Sequence, residues 1–264
     1  MIRLCERLNL VTTNEEVIVV DDSKASHEEK LRATANFDLK YIHSGVKLGV
    51  SSKRNMGAQA ANGEYLIFFD DDDDFTIDWL ADFRVSMANS PDLVQCQMAV
   101  FSDNSVKEIV TKRRDDWKLV IPGSWMVKKT IFSQIGGFDI DLKFAENTEL
   151  FFRLSKLTLK KVYIPKVNFN YFQSQDGGSQ NLKNMTDSIT IILIKHEAIL
   201  SKQTVRIYHQ ILGVNNLRFE RYSEARRHLM IAYFAAPTNI YTLMRLCIAY
   251  IPALAKKLYP FNFK

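Results

Sequence analysis

Two short runs constrain the fold of this chain more than anything else in it. Glu16–Val20 (EVIVV) and Tyr65–Phe69 (YLIFF) are almost continuously apolar and rich in β-branched or aromatic residues. Strands of that pattern are buried on both faces, as in a parallel sheet covered by helices. Each runs directly into acid: Asp21-Asp22-Ser23 follows the first, and Asp70 through Asp74 follow the second. A weaker strand is expected over Leu39–His43. Helices are expected over Ser23–Asn36, which opens on a Ser cap, and over Ser51–Asn62, which stops at Asn62-Gly63. Strand, helix, strand, helix, strand with short links predicts an α/β fold with a doubly wound, mostly parallel sheet. In such sheets ligands bind beyond the carboxyl ends of the strands, which is where these acids stand.

Residues 75–120 carry a mixed pattern of low information. Gly123–Gly137 reads as a short apolar segment, a helical turn and a Gly-Gly stop. Glu146–Thr158 reads as a helix with Leu150, Phe151, Leu154 and Leu157 on one face. A polar loop, Gln173–Asn181, marks the expected boundary between residues 1–180 and a helical region over 181–264, with breaks near Gly213 and Pro237. Tyr222–Tyr241 has the small-residue texture of a helix hairpin, in a single copy.

At 264 residues, 47% hydrophobic and 25% charged, the composition excludes disorder and fibrous repeats. The net charge of +5 invites a nucleic-acid reading, but residues 201–264 hold ten Lys/Arg against two Asp/Glu. The basicity belongs to the tail, and the acidic body argues against nucleic acid as a partner. Cys5, Cys96 and Cys247 lie far apart, which suits buried or free thiols in a reducing compartment. The opening MIRLCERLNL lacks a signal peptide's apolar core, and the ten-residue apolar run Leu246–Ala255 is too short to cross a bilayer. A cytoplasmic protein is expected.

Five consecutive aspartates repel one another, and folding must relieve that by water, cations or raised pKa values. At a strand end facing a crevice a divalent cation is the simplest solution, with Mg²⁺ or Mn²⁺ suited to hard oxygen ligands. A solvated acidic loop is the alternative. Asp22 and Ser23 can also cap a helix. Lys53 and Arg54, near a helix start at the same edge, form either a phosphate anchor or a solvated basic face. Five scattered histidines, His27, His43, His196, His209 and His228, offer no metal cluster.

The ordered set EVIVVDDS, KLGVSSKRNMGAQAANGEYLIFFDDDDDF, GSWMVKKTIFSQIGGFD and ENTELFFRL resembles the family 2 glycosyltransferases of the GT-A fold, over roughly residues 7–180. The resemblance implies that Asp22 contacts the nucleobase and Arg54 the diphosphate. It implies a D-x-D segment in Asp70-Asp71-Asp72-Asp73, with Asp70 toward the ribose or sugar, Asp71 beside it and Asp72 on the metal. The remaining acids are spare charge, and the register within the run admits a slip of one. Gly136-Gly137-Phe138-Asp139 matches a turn on the acceptor side, which gives Gly137 and Asp139 as acceptor-side residues. Trp125, and with it Trp79, is read as an acceptor-stacking residue or as a core aromatic.

The family usually carries Glu-Asp at the base position, and this chain has Glu146-Asn147. Glu146 is then the general-base candidate and Glu149 the second choice, although acids in a first helical turn also answer the helix dipole. Gln173 and Gln175 stand where the family often has a His near the diphosphate. The opening residues resemble the helix after the family's first strand, a central one, so that strand's neighbours are expected to lack a partner.

The implied activity is inverting, Mn²⁺- or Mg²⁺-assisted transfer of a sugar from a nucleotide-diphosphate sugar, a UDP-sugar, to a glycan or lipid-linked acceptor in cell-surface polysaccharide synthesis. Alternatives are a truncated non-catalytic remnant or a nucleotidyltransferase, though the latter would want a Gly-rich basic loop after its first strand. Residues 240–259 are largely apolar with Arg245, Lys256 and Lys257 among them. That suits an anionic membrane surface on the inner face of the cell membrane, or a helical cap.

Overall fold

The first acid-tipped run forms strand β1 (Glu16–Asp21), preceded by helix α1 (Ile2–Leu8) in the computed structural model of the chain. The structure describes residues 1–102, 105–111, 120–173 and 181–260. After helix α2 (Glu28–Thr34), strand β2 (Asp38–His43) returns parallel to β1, pairing Glu16 with Asp38 through Asp21 with His43. Helix α3 (Val50–Ala60) leads to the second run, of which only strand β3 (Tyr65–Leu66) joins a ladder. The expected strand over Tyr65–Phe69 is thus cut to two residues, because past Leu66 no strand among the described residues pairs with it. Among the described residues β1 likewise pairs with β2 alone.

The segment that reads poorly in sequence supplies the centre of the larger sheet. Strand β4 (Asp74–Phe75) and helix α4 (Trp79–Ser86) precede strand β5 (Leu93–Ser102), and strand β6 (Ser105–Val110) folds back on it. Strand β7 (Trp125–Lys128), helices α5 (Lys129–Gln134) and α6 (Glu146–Leu154), and strand β8 (Lys161–Phe172) complete the first part. The order is β3-β7-β5-β8-β4, with β5 and β8 parallel and the pairs of β7 with β3 and β5 antiparallel. Alternation along the strands divides the core. Leu93, Trp125 and Val127 face Ala58, Phe132, Leu150 and Phe151, while Val94, Met98 and Met126 face Trp79 and Phe83.

The chain divides into two compact units, Met1–Gly177 and Gly178–Lys264. The second is helical: α7 (Leu182–His196), α8 (Lys202–Arg218), α9 (Tyr222–Phe234), α10 (Ile240–Ile248) and α11 (Pro252–Leu258). Gly213 is not a break. It lies inside α8, where a Cβ would come within 2.5 Å of the Leu229 side chain, so the glycine lets α8 and α9 approach closely. Pro237 does fall between α9 and α10. No described helix is long and apolar enough to cross a membrane.

One polar pair is buried between α8 and α9. His209 Nδ1 and His228 Nδ1 are 2.8 Å apart, and Arg227 Nη2 lies 3.2 Å from His228 Nε2. The guanidinium can only donate, so His228 Nδ1–H donates to His209. Burial lowers both imidazole pKa values. His228 falls to about 4 with help from Arg227 and His209 and against Glu224, while Glu197 opposes the fall at His209. The folded rings stay neutral where the unfolded chain takes up protons, below about pH 6.5. Stability of this unit is therefore full above that pH and lost as pH falls toward 4. Thermal melts followed by helical circular dichroism should show this drop, and His228→Asn should flatten it.

Candidate functional site

The carboxyl end of β1 is built by two acids with different partners. Asp21 is buried and accepts from Ser23 N at 2.8 Å, from His27 Nδ1 at 3.0 Å and from the Tyr41 hydroxyl. Burial pushes its pKa up, but the bonds from Ser23, Tyr41 and His27 outweigh it and hold the carboxyl well below the usual range. This turn explains why α2 starts at Glu28 and not at the expected Ser23. Asp22, also buried, accepts from Leu48 N, Lys47 Nζ and Lys53 Nζ, each at 3.2 Å. Burial opposes and these three bonds dominate, so its pKa is lowered as well.

The aspartate run divides its labour. Both Asp70 oxygens lie near Arg54 Nη2, at 2.7 and 2.9 Å. Asp71 meets the α-ammonium of Met1 at 3.2 Å, and Asp74 meets Arg7 Nε at 3.0 Å and Arg3 Nη2 at 3.1 Å. Asp73 is buried and accepts from Phe172 N at 3.0 Å. Burial, with the charges of Asp72 and Asp70, pushes its pKa up to about 8 against the pull of the Phe172 amide and Arg54. Asp71, Asp73 and Asp74 thus have structural partners. Asp72 is exposed and, among the described residues, its carboxylate has no side-chain partner. Desolvation in the crowded turn, and then the charges of Asp70 and Asp71, raise its pKa.

Arg54 gathers this edge. Its side chain is 9% exposed, and while Nη2 holds Asp70, Nη1 lies 3.0 Å from Glu146 Oε1 and 3.4 Å from Asn147 Oδ1. Its guanidinium also sits 5.2 Å from the centre of the Phe138 ring. Lys53 and Arg54 reach different acids because consecutive helical residues project about 100° apart. Asn55, the next residue, clamps the Gly-Gly turn. Its amide donates to Phe138 O and accepts from Phe138 N, both at 2.8 Å. Sequence reasoning missed Asn55 and Tyr41; for Asn55 the only signal was its place beside Arg54 in SSKRN.

Glu146 opens α6 after Ala145, whose φ of 58° sets a sharp entry. Asn147 Nδ2 donates to Glu146 Oε1 at 3.0 Å. The Asn therefore acts as a neutral donor orienting Glu146, a bond an aspartate could not make. Glu149 faces inward. It is 3% exposed and binds Arg153 at 2.7 and 2.6 Å, while Arg153 also donates to Gly137 O at 2.7 Å. Glu149 thus ties α6 to the Gly-Gly turn, and Glu146 is the carboxylate that meets Arg54. Gly136 and Gly137 take φ of 81° and 70°, and Asp139 Oδ1 accepts from Asp141 N at 3.1 Å.

The acceptor-side assignment of Trp125 is corrected, and of the two readings offered for each tryptophan the core one holds. Trp125 is fully buried on β7, with ring centres 5.4 Å from Phe68 and 5.1 Å from Phe151. Trp79 is buried too and donates Nε1–H to Gly123 O at 2.7 Å. Both fill the core because their strand and helix faces turn inward, so neither can stack on an acceptor. Gln173 Oε1 accepts from Lys107 Nζ at 3.3 Å, and Gln175 lies outside the described residues. Among the described residues no three His, Cys, Asp or Glu side chains converge as a metal cage. The oxygen-only edge with Asp72 exposed fits a hard divalent cation held by one or two carboxylates, its other positions open.

The comparisons with known proteins fall on these same segments. Residues 4–155 match the model of glycosyl transferase family 2. The chain is 30% identical over 165 residues to WcaA of Escherichia coli K12, named for a glycosyl transferase role in colanic acid biosynthesis, covering 54% of this chain and 56% of that one. An uncharacterized glycosyltransferase of Haemophilus influenzae is 22% identical over 156 residues, 54% of this chain and 53% of that one. The chain thus spans about half the length of these curated relatives. In fold it resembles S. aureus TarS 1-349, at 17% identity in each of two crystal structures. One has a TM-score of 0.56 over 94% of this chain and 83% of that one; the other, with UDP, has 0.60 over 97% and 86%. The GT-A fold is shared at that distance. With a family match over more than half the chain, on the stretch that builds the acid edge, the protein belongs to glycosyl transferase family 2.

Proposed function

We propose that this enzyme transfers a sugar, with inversion, from a UDP-sugar to a hydroxyl of a glycan or lipid-linked acceptor in cell-surface polysaccharide synthesis. One observation carries the reading: Asp22, Arg54, Asp70, exposed Asp72 and Glu146 gather at one edge of the α/β unit, with Arg54 bonded to both Asp70 and Glu146. The UDP in one TarS structure and the colanic acid role in the name of WcaA support the donor and the pathway class. Asp22 receives the nucleobase and Asp70 and Asp71 the ribose-sugar side. Lys53 and Arg54 supply positive charge where the diphosphate departs. A divalent cation, Mn²⁺ or Mg²⁺ on Asp72, would neutralise charge on that leaving group. Glu146, aimed by Arg54 and Asn147, takes the acceptor proton in one in-line displacement. Gly137 and Asp139 shape the acceptor side through the turn that Asn55 clamps.

A screen of UDP-sugars for release of UDP, with Mn²⁺, Mg²⁺ or EDTA, tests this reading. At least one donor should turn over with metal, and Asp72→Asn should cut that rate by about 100-fold or more. Near-wild-type turnover in Asp72→Asn would remove the metal assignment. Absence of UDP release from every donor would leave a family fold without turnover, the non-catalytic alternative.

The second unit adds a place of action at the inner face of the cell membrane. Ala249 and Ala255 pack against Leu217 and Leu229, which leaves Tyr241, Met244, Ile251 and Leu258 exposed on α10, α11 and the link between them. Arg245, Lys256 and Lys257 lie in the same stretch, with Lys256 bonded to Glu220 at 2.9 Å. Apolar exposure beside cations supports docking on anionic lipid. The chain should float with phosphatidylserine-rich liposomes at low salt and be released at high salt. Failure to float at low salt would reduce these helices to a cap on α8 and α9.

A further inference from the structure

β5 is the middle strand of the larger sheet, yet one of its faces changes character along its length. Leu93 packs into the core under α6, with Trp125, Leu150 and Phe151. Alternation puts Gln95, Gln97, Ala99 and Phe101 on that same face, while Val94, Cys96 and Met98 fill the core on the other. On β8, Phe169 and Tyr171 pack with that second core. Asn170 and Phe172, the partners of Ala99 and Phe101, therefore share the face of the glutamines. The rings of Phe101 and Phe172 stack, with centres 4.9 Å apart and planes 20° from parallel. Both rings are half-buried, and so are Gln95, Gln97 and Asn170. These three carboxamides have no hydrogen-bond partner among the described residues. Folding alone favours apolar side chains on a middle strand, and amides that give up water without a partner cost stability there.

This strip of amides and rings borders the acid edge. β5 and β8 run parallel, and the two rings stand at their carboxyl ends. Phe172 N donates to Asp73 Oδ1 at 3.0 Å, and Asp74 pairs with Asn170 in the short ladder of β4 with β8. α6 lies on the same face and brings Glu146 to Arg54, which also holds Asp70. The strip itself carries no charge. Lys107, the nearby cation on β6, is engaged by Gln173 Oε1 at 3.3 Å. The carboxylates of Asp70, exposed Asp72 and Glu146 make the surroundings unfavourable to an anion.

We infer that this strip is the acceptor subsite and that it takes an uncharged pyranose ring. Carboxamides both donate and accept, so Gln95, Gln97 and Asn170 exchange hydrogen bonds with the sugar hydroxyls. Each ring of a stacked pair keeps one outer face, and the sugar's apolar C–H face packs on the Phe101–Phe172 pair. The inference rests on the transferase reading for the use made of the bound sugar. It narrows the acceptor from a glycan or lipid-linked hydroxyl to a neutral residue of a glycan. The two glutamines that interrupt the apolar pattern of β5 are then the residues that read the acceptor.

The test is saturation-transfer NMR on the full chain with methyl α- and β-glycosides of glucose, galactose and mannose. Methyl glucuronide serves as the anionic sugar and dodecyl phosphate as the lipid phosphate. At least one neutral glycoside should bind, with saturation strongest at its ring C–H protons. Gln97→Leu and Phe101→Leu should each weaken that binding by about three- to tenfold, with the thermal melt retained. A variant that loses its melt is replaced by Gln95→Leu or Phe172→Leu. Binding of no neutral glycoside, equal binding by the folded variants, or tighter binding of the glucuronide or dodecyl phosphate overturns the proposal. A chain that releases UDP from a donor but binds no neutral glycoside keeps the transferase reading and loses this one. A chain that binds a glycoside but releases no UDP keeps the sugar subsite and loses the transferase reading.

Discussion

The link between the aspartate run and α6 depends on the guanidinium of Arg54. It reaches Asp70 with one nitrogen and Glu146 and Asn147 with the other, under the ring of Phe138. A cation this buried is stable only when paired, and stripping it away leaves two carboxylates without a counter-charge, a cost of about 3–5 kcal/mol in other proteins. α3 is held in turn by Asn55 on the Gly-Gly turn, and that turn by Arg153 and Glu149 on α6. Asp70 and Glu146 are thus joined by one side chain and two supporting clamps.

Much of the first unit was legible in residue pattern. β1, β2, α3 and α6 fall close to where periodicity and caps put them, because each has a strong local signature. β5 was not legible: Gln95 and Gln97 interrupt its apolar pattern, and its identity as a central strand comes from pairing with β7 and β8, which no local window contains. The Tyr65–Phe69 run failed in the opposite way. Its side chains read as a buried strand, but a ladder also needs a neighbour, and beyond Leu66 none pairs with it among the described residues.

At the site, acids and cations could be located by residue type, whereas their pairing could not. Five aspartates read alike in sequence. The fold separates them into one held by Arg54, one by the chain's α-ammonium, one buried against an amide, one by Arg3 and Arg7, and one left exposed. Glu146 and Glu149 are likewise three residues apart on one helix, yet one meets the edge and the other the interior. Trp125 shows the converse, since an aromatic close in sequence to the Gly-Gly turn is a core residue once β7 is in its sheet.

The central claim is that Arg54 couples Asp70 to Glu146, and double-mutant cycles on stability measure it most directly. Arg54→Met, Asp70→Asn and Glu146→Gln, singly and in pairs, should give coupling energies of about 1–3 kcal/mol for Arg54 with each acid. Additive effects in either cycle, within about 0.5 kcal/mol, would contradict the account.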